Sequence, residues 1–231
     1  RGHEIFLQGA DIIDVGGEST RPGALPVTEA EEIQRVIPVI KALSQLLKTQ
    51  ISIDTRHAHV AEEAIKAGAT FINDVSGFSD PAMQKIAKSS GAEICVMHMQ
   101  GNPQTMQNKP TYPEGVIAHL INWFEERIEI LLRNGIHENK IILDPGIGFG
   151  KTVADNLEII QNLPELKKLG FPLLFGISRK SFMSTILNKP SAELLPATIA
   201  INALLIKSNV DIIRVHDVSE HRQTIDVLRE F

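Results

Sequence analysis

His57–Asp74 reads HAHVAEEAIKAGATFIND, and it holds the rule by which the chain is organised. His57–Ala67 carries a helical pattern, Gly68 follows, and Thr70–Asp74 is a short β-rich apolar run that closes on Asn73 and Asp74. A glycine in that place ends a helix in the left-handed conformation without a Cβ clash. The same order recurs at Gly9-Ala10 and Gly91-Ala92, with Gly170-Phe171 as a variant. Helix ends and strand starts therefore share one end of the molecule, and strand C-termini share the other.

Working outward, the apolar runs predict seven strands: Asp11–Val15, Ile51–Asp54, Thr70–Asp74, Glu93–Met97, Ile141–Asp144, Pro172–Ile177 and Asp211–Val215. Between and after them, helical spacing covers Glu29–Lys48, His57–Ala67, Pro81–Ser89, Pro113–Asn134, Val153–Asn162, Ser181–Leu187, Pro196–Lys207 and Val218–Glu230. In the first of these, Ile33, Val36, Ile37, Ile40, Leu43 and Leu47 make one apolar face, while Pro38 predicts a kink or break. Strands alternating with helices, and no linker or composition shift, indicate one α/β domain over residues 1–231.

The function classes narrow early. The net charge of −5 has mixed signs and leaves no footprint for nucleic acid, so an anionic ligand must be held by a local arrangement of donors. A single cysteine excludes a disulfide framework or a Cys-rich zinc site. No apolar run approaches the roughly 20 residues of a membrane span, and the start lacks a signal-peptide core. The expected location is the cytoplasm, with no membrane partner.

Polar residues collect where the strands end: Asp14, Asp54, Asn73, Asp74, His98, Asp144, Ser178, Arg179, Lys180, Arg214 and His216. That is the pattern of an α/β active face, where loops after the strands converge. Asp54, Asn73 and Asp144 end different strands, and two carboxylates with an amide suit a flat heterocycle that presents parallel N–H donors. The alternative for Asp54 is a helix cap or an ion pair with Arg56. Strand alternation turns Gly176, Ser178 and Lys180 to one face and leaves Arg179 as a packing or surface residue. It also turns Arg214 and His216 the same way, which makes a two-donor anion site.

Two other segments need care. Asp144–Thr152 (DPGIGFGKT) looks like a phosphate loop, but Pro145 stands where the Walker pattern needs its first glycine, and no G-x-G-x-x-G is present. What remains is a tight glycine turn with Phe149 able to wall a pocket. Asp14–Gly23 (DVGGESTRPG) brings Thr20 and Arg21 within reach of an anion or an aromatic ring. His98 and Cys95 read as structural, and Gly101–Pro113 is long enough to cover a site. The remaining histidines show no metal-ligand spacing.

Seven motifs, DVGGESTRPG, SIDTR, INDVSG, VMHMQGNPQTM, LDPGIGFGK, GISRKS and RVHDV, stand in order across residues 9–218, and together they resemble the dihydropteroate synthase family. The resemblance implies a TIM (β/α)₈ barrel that condenses 6-hydroxymethyl-7,8-dihydropterin diphosphate with 4-aminobenzoate, giving 7,8-dihydropteroate and diphosphate in folate biosynthesis. It implies that Asp54, Asn73, Asp144 and Lys180 hold the pterin, and that Thr20, Arg214 and His216 hold the diphosphate. It places Thr20, Arg21, Pro22, Phe149 and Ser178 around 4-aminobenzoate, and makes Lys180, Arg214 and His216 the catalytic groups. Magnesium is implied as a cofactor riding on the diphosphate, and a homodimer as the assembly.

The sequence also departs from the family. Leu194–Thr198 lacks the Arg and Gly common ahead of the last long helix, which bears on packing or dimerisation. The family's first strand, with its magnesium-binding Asn, and its mobile first loop are missing from this chain. No metal ligand is therefore expected within it, and the missing strand is expected upstream of Arg1. The competing readings are a methyltetrahydrofolate-type pterin-binding methyltransferase and a non-catalytic pterin-binding fragment.

Overall fold

A computed structural model of the chain describes residues 1–19, 24–101 and 105–231. Its elements follow the order α1 (Gly2–Leu7), β1 (Ile12–Gly16), α2 (Glu29–Leu46), β2 (Gln50–Asp54), α3 (Ala58–Ala67), β3 (Phe71–Asp74) and α4 (Pro81–Ser90). Then come β4 (Glu93–Met97), α5 (Val116–Arg133), β5 (Ile141–Asp144), α6 (Val153–Gln161), α7 (Leu163–Lys167) and β6 (Leu174–Phe175). The order closes with α8 (Ser181–Leu187), α9 (Leu195–Lys207), β7 (Ile212–Ile213) and α10 (Val218–Leu228). All seven expected strands are present and pair in parallel, β1 through β5 in sequence and β6 with β7. A bridge from Leu143 to Leu173 carries the wall on from β5 toward β6. This is the TIM-barrel wall, with helices packed around it.

Local chemistry explains the element ends. Thr28 caps α2 by accepting from the Glu31 N–H, and Asp80 caps α4 by accepting from Ala82. Thr152 and Asp155 form a reciprocal capping box on α6. Gly68 and Gly91 end α3 and α4 in the left-handed conformation, as the repeated order required. Alternation then divides the strands. Ile13, Ile51, Ile53, Ile72, Ile94, Val96, Leu143 and Phe175 face outward into the main core with the helices. Phe71, Cys95, Ile142 and Leu174, with Ile212 against them, form a separate apolar floor inside the barrel.

Three expectations are corrected. Helix α2 runs unbroken through Pro38, because Val36, Ile40 and Leu43 bury its face on both sides and outweigh one lost backbone bond. The last two strands are shorter than expected. Pro172 has no N–H to pair, although its carbonyl accepts from Leu143, and the chain turns away where the Lys180 N–H bonds the Ile177 carbonyl. Two short helices, α1 and α7, precede Gly9 and Gly170 as the repeated order implies, but each is under two turns, too short for a periodic pattern to set its bounds.

Among the described residues β1 and β7 do not pair. Between them lies a cleft of about 300 Å³, lined by Ile12, Asp14, Phe71, Leu174, Ile212, Arg214 and residues of α10.

Candidate active site

The inward parity that makes the apolar floor continues toward the strand C-termini and turns polar there. Two residues beyond Phe71 stands Asn73, two beyond Ile142 stands Asp144, and two beyond Ile212 stands Arg214. Asp14 and Asp54 share that inward parity on β1 and β2, Asp14 pairing with Ser52 and Gly16 with Asp54, while Asp54 pairs with Asn73 in register. One layer of the barrel is hydrophobic, and the next is the site.

Arg214 sits at its centre. Nη1 donates to Asp14 Oδ2 at 3.0 Å and to Asp54 Oδ2 at 2.9 Å. Burial works against the Arg214 charge, but Asp54, Asp14 and Asp144 outweigh it and keep the guanidinium protonated at any ordinary pH. Burial and the neighbouring Asp14 charge push Asp54 up to about 7, against the pull of Arg214. The alternative pairing of Asp54 with Arg56 does not occur; Arg56 turns to Glu18 instead, at 2.8 and 3.1 Å.

Asn73 is 3% exposed; its Nδ2 donates to Asp14 at 3.4 Å, and its Oδ1 is buried with no partner. An unpaired buried acceptor costs free energy that a ligand donor recovers. Asp144 is buried and accepts from the Gly146 N–H at 2.8 Å. Burial raises its pKa, opposed by Arg214, the Gly146 bond and the two lysines Lys180 and Lys151.

Lys180 donates to the Ile147 carbonyl at 2.5 Å, and its Nζ lies 4.1 Å from the Phe149 ring centroid. Burial and then the Arg214 charge bring its pKa down to about 7. Ser178 Oγ lies 2.9 Å from His216 Nδ1 and accepts from the His216 N–H at 3.2 Å, so it orients that ring. Arg179, in the turn beyond β6, holds Asp217 at 2.6 and 2.9 Å.

The structure thus brings together Asp54, Asn73, Asp144, Phe149, Ser178, Lys180, Arg214 and His216 at one mouth. Thr20, Arg21 and Pro22 lie outside the described residues. Two contributors were missed. Asp14 stood among the polar residues near the strand ends without a role, and the parity it shares with Asp54 across β1 and β2 was the available signal. Lys151 belongs to the segment that failed the phosphate-loop pattern; it is 3% exposed, and nothing local in the sequence marks a lysine for burial.

Among the described residues no group of three or more His, Cys, Asp or Glu side chains could hold a metal ion. The one carboxylate pair at the mouth, Asp14 with Asp54, is already bridged by Arg214. These residues do not fit a resident magnesium.

The family described as "Pterin binding enzyme" matches residues 1–216. Dihydropteroate synthase of Synechocystis is 47% identical over 221 residues, which is 95% of this chain and 76% of the relative. A crystal structure of Yersinia pestis dihydropteroate synthase with a sulfonamide drug complex superposes with a TM-score of 0.96 at 39% identity, covering 99% of this chain and 82% of that one. The Thermus thermophilus enzyme in complex with 4-aminobenzoate superposes with a TM-score of 0.93 at 37% identity, covering 100% and 88%.

Proposed function

The chain belongs to the dihydropteroate synthase family of pterin-binding transferases, which join 6-hydroxymethyl-7,8-dihydropterin diphosphate to 4-aminobenzoate in folate biosynthesis, and we propose that its residues divide that work around the barrel mouth. Asp54, Asn73 and Asp144 read the N–H edge of the pterin from the ends of β2, β3 and β5. Lys180 donates to a ring heteroatom from the far side. Arg214, His216 and Thr20 take the diphosphate. Phe149, Ser178, Thr20, Arg21 and Pro22 surround the aminobenzoate.

The carrying observation is that the carboxylate and amide set and the Arg214 guanidinium share one face of one barrel layer. In the reaction the arylamine nitrogen forms a bond to the pterin methylene carbon as the carbon–oxygen bond to diphosphate breaks. Negative charge grows on the leaving group, where donors already fixed in a low-dielectric site count most. Only Nη1 of Arg214 bonds the two carboxylates, so the rest of the five N–H fork can serve the diphosphate. No protein nucleophile takes part. Magnesium enters with the diphosphate substrate.

The chain acts as a single pterin-binding unit over residues 1–231 and works in the cytoplasm; no helix among the described residues is long and apolar enough to cross a membrane. It assembles as a homodimer. Helix α9 turns Thr198, Asn202 and Leu205 inward and leaves Leu204 64% exposed on its other side, a face suited to a second copy.

The test is a coupled assay with both substrates. Dihydropteroate and diphosphate should appear in equal amounts. Methyl transfer to a cobalamin with no diphosphate released would favour the methyltransferase reading, and pterin binding without turnover would favour a binding fragment.

A further inference from the structure

The glycine turn after β5 has each of its middle carbonyls caught by a named donor. Gly146 O accepts from the Phe149 N–H at 3.0 Å, Ile147 O from Lys180 at 2.5 Å and Gly148 O from Gln107 at 2.7 Å. Phe149 O accepts from Lys151 Nζ at 3.1 Å, and Gly150 O from the Tyr112 hydroxyl at 2.7 Å. Four of these donors are side chains, so the shape of the turn is set from outside it. Lys151 is the one that holds Phe149 itself.

Lys151 also reaches into the preceding loop. Its Nζ lies 3.0 Å from His98 Nδ1 and 3.5 Å from the His98 carbonyl. An ammonium can only donate, so His98 Nδ1 accepts and carries its proton on Nε2, which bonds His119 Nε2 at 3.2 Å. The His98 ring packs edge-on against Trp123, with centroids 5.0 Å apart. The far end of the chain of contacts is therefore anchored on helix α5.

We infer that Lys151 is a positioning residue for the aminobenzoate subsite: by tying the Phe149 carbonyl to His98, it sets the Phe149 ring against Lys180. Burial disfavours an ammonium here, and the Asp144 and Asp155 charges offset that only in part. Its three hydrogen-bond partners are all neutral, and burial pulls its pKa down to about 7. A methionine would fill the space without that desolvation cost. What methionine cannot do is hold the Phe149 carbonyl. The inference rests on the placement of aminobenzoate beside Phe149, and its test separates the two.

The test is a double-mutant cycle of Lys151→Met and Phe149→Ala, read as KM for 4-aminobenzoate and for the pterin diphosphate. Lys151→Met should raise the aminobenzoate KM by about tenfold, the scale of one lost charge-assisted bond, and change the pterin KM by about threefold or less. On the Phe149→Ala background the same substitution should add no more than about twofold, because the ring it positions is gone. A merely structural lysine would lower thermal stability and multiply its effect with that of Phe149→Ala. Full multiplication, or an unchanged aminobenzoate KM in Lys151→Met, overturns the inference. If Phe149→Ala alone leaves that KM unchanged, the aminobenzoate placement fails, and the inference with it. Should Lys151→Met not fold, Lys151→Gln carries the same cycle under the same criteria.

Discussion

Arg214 on β7 and Asp54 on β2 are 160 residues apart in sequence and 2.9 Å apart in space. The ion pair reaches past the cleft that separates β7 from β1, with Asp14 accepting from the same nitrogen. The strongest cation of the site is therefore held in the same layer as the carboxylates that read the pterin. Diphosphate recognition and ring recognition are physically coupled through it.

Arg214→Ala should accordingly weaken the diphosphate substrate far more than free 6-hydroxymethylpterin. Losing charge-assisted bonds to the diphosphate corresponds to about 1.5–3 kcal/mol, with a smaller loss shared by both ligands as Asp14 and Asp54 repel. Calorimetric titration of each ligand into the variant reads the difference. Equal losses for both would remove the diphosphate role.

Pterin affinity should fall as the solution is acidified through neutrality. Asp54 is pushed up to about 7 by burial and the Asp14 charge, and only its ionised form accepts two N–H donors. Binding of 6-hydroxymethylpterin, followed from about pH 8 to about pH 6, should weaken several-fold. Asp54→Asn should bind weakly throughout and lose that slope; a slope that survives the substitution assigns the titration elsewhere.

Gly146 accepts no side chain. Its φ is +67°, and a Cβ there would stand 2.0 Å from the His98 carbonyl oxygen. Gly146→Ala must move the turn or the loop after β4, which displaces the N–H that holds Asp144 and the Phe149 wall. A loss of more than about 3 kcal/mol in chemical unfolding is expected, with activity falling in parallel. A variant of ordinary stability and activity would show that the turn is free to shift.

Lys151 also makes a prediction about stability and pH. Its pKa is about 7 when folded and near 10.5 in the unfolded chain, so between those values the unfolded state binds more protons. The stability tied to this group is complete above the unfolded value and is lost as pH falls through the folded one. Relative to the parent, Lys151→Met should therefore gain about 3 kcal/mol at about pH 6 compared with about pH 9.5. Unfolding curves at both values check it; a difference that does not change with pH would mean that the ammonium is not paying a burial cost.

What the sequence determined by itself was local and periodic. The glycine after each helix marks a stop because of backbone sterics, and two-residue alternation assigns each strand residue to a face without knowledge of its neighbours. Those two rules located seven strands, put Asp54, Asn73 and Asp144 at the ends of three of them, and turned Ser178 with Lys180, and Arg214 with His216, to shared faces. The order of seven motifs then pointed to the family. Tertiary structure alone decided which charges meet. Arg56 stood two residues from Asp54 and took Glu18, while Asp54 took Arg214 from the opposite end of the chain. Strand curvature sets such partnerships, and no sequence spacing carries it. The burial of Lys151 was decided the same way: a lysine after a glycine turn reads as solvated until the loop after β4 folds over it and leaves its ammonium facing a histidine and two carbonyls.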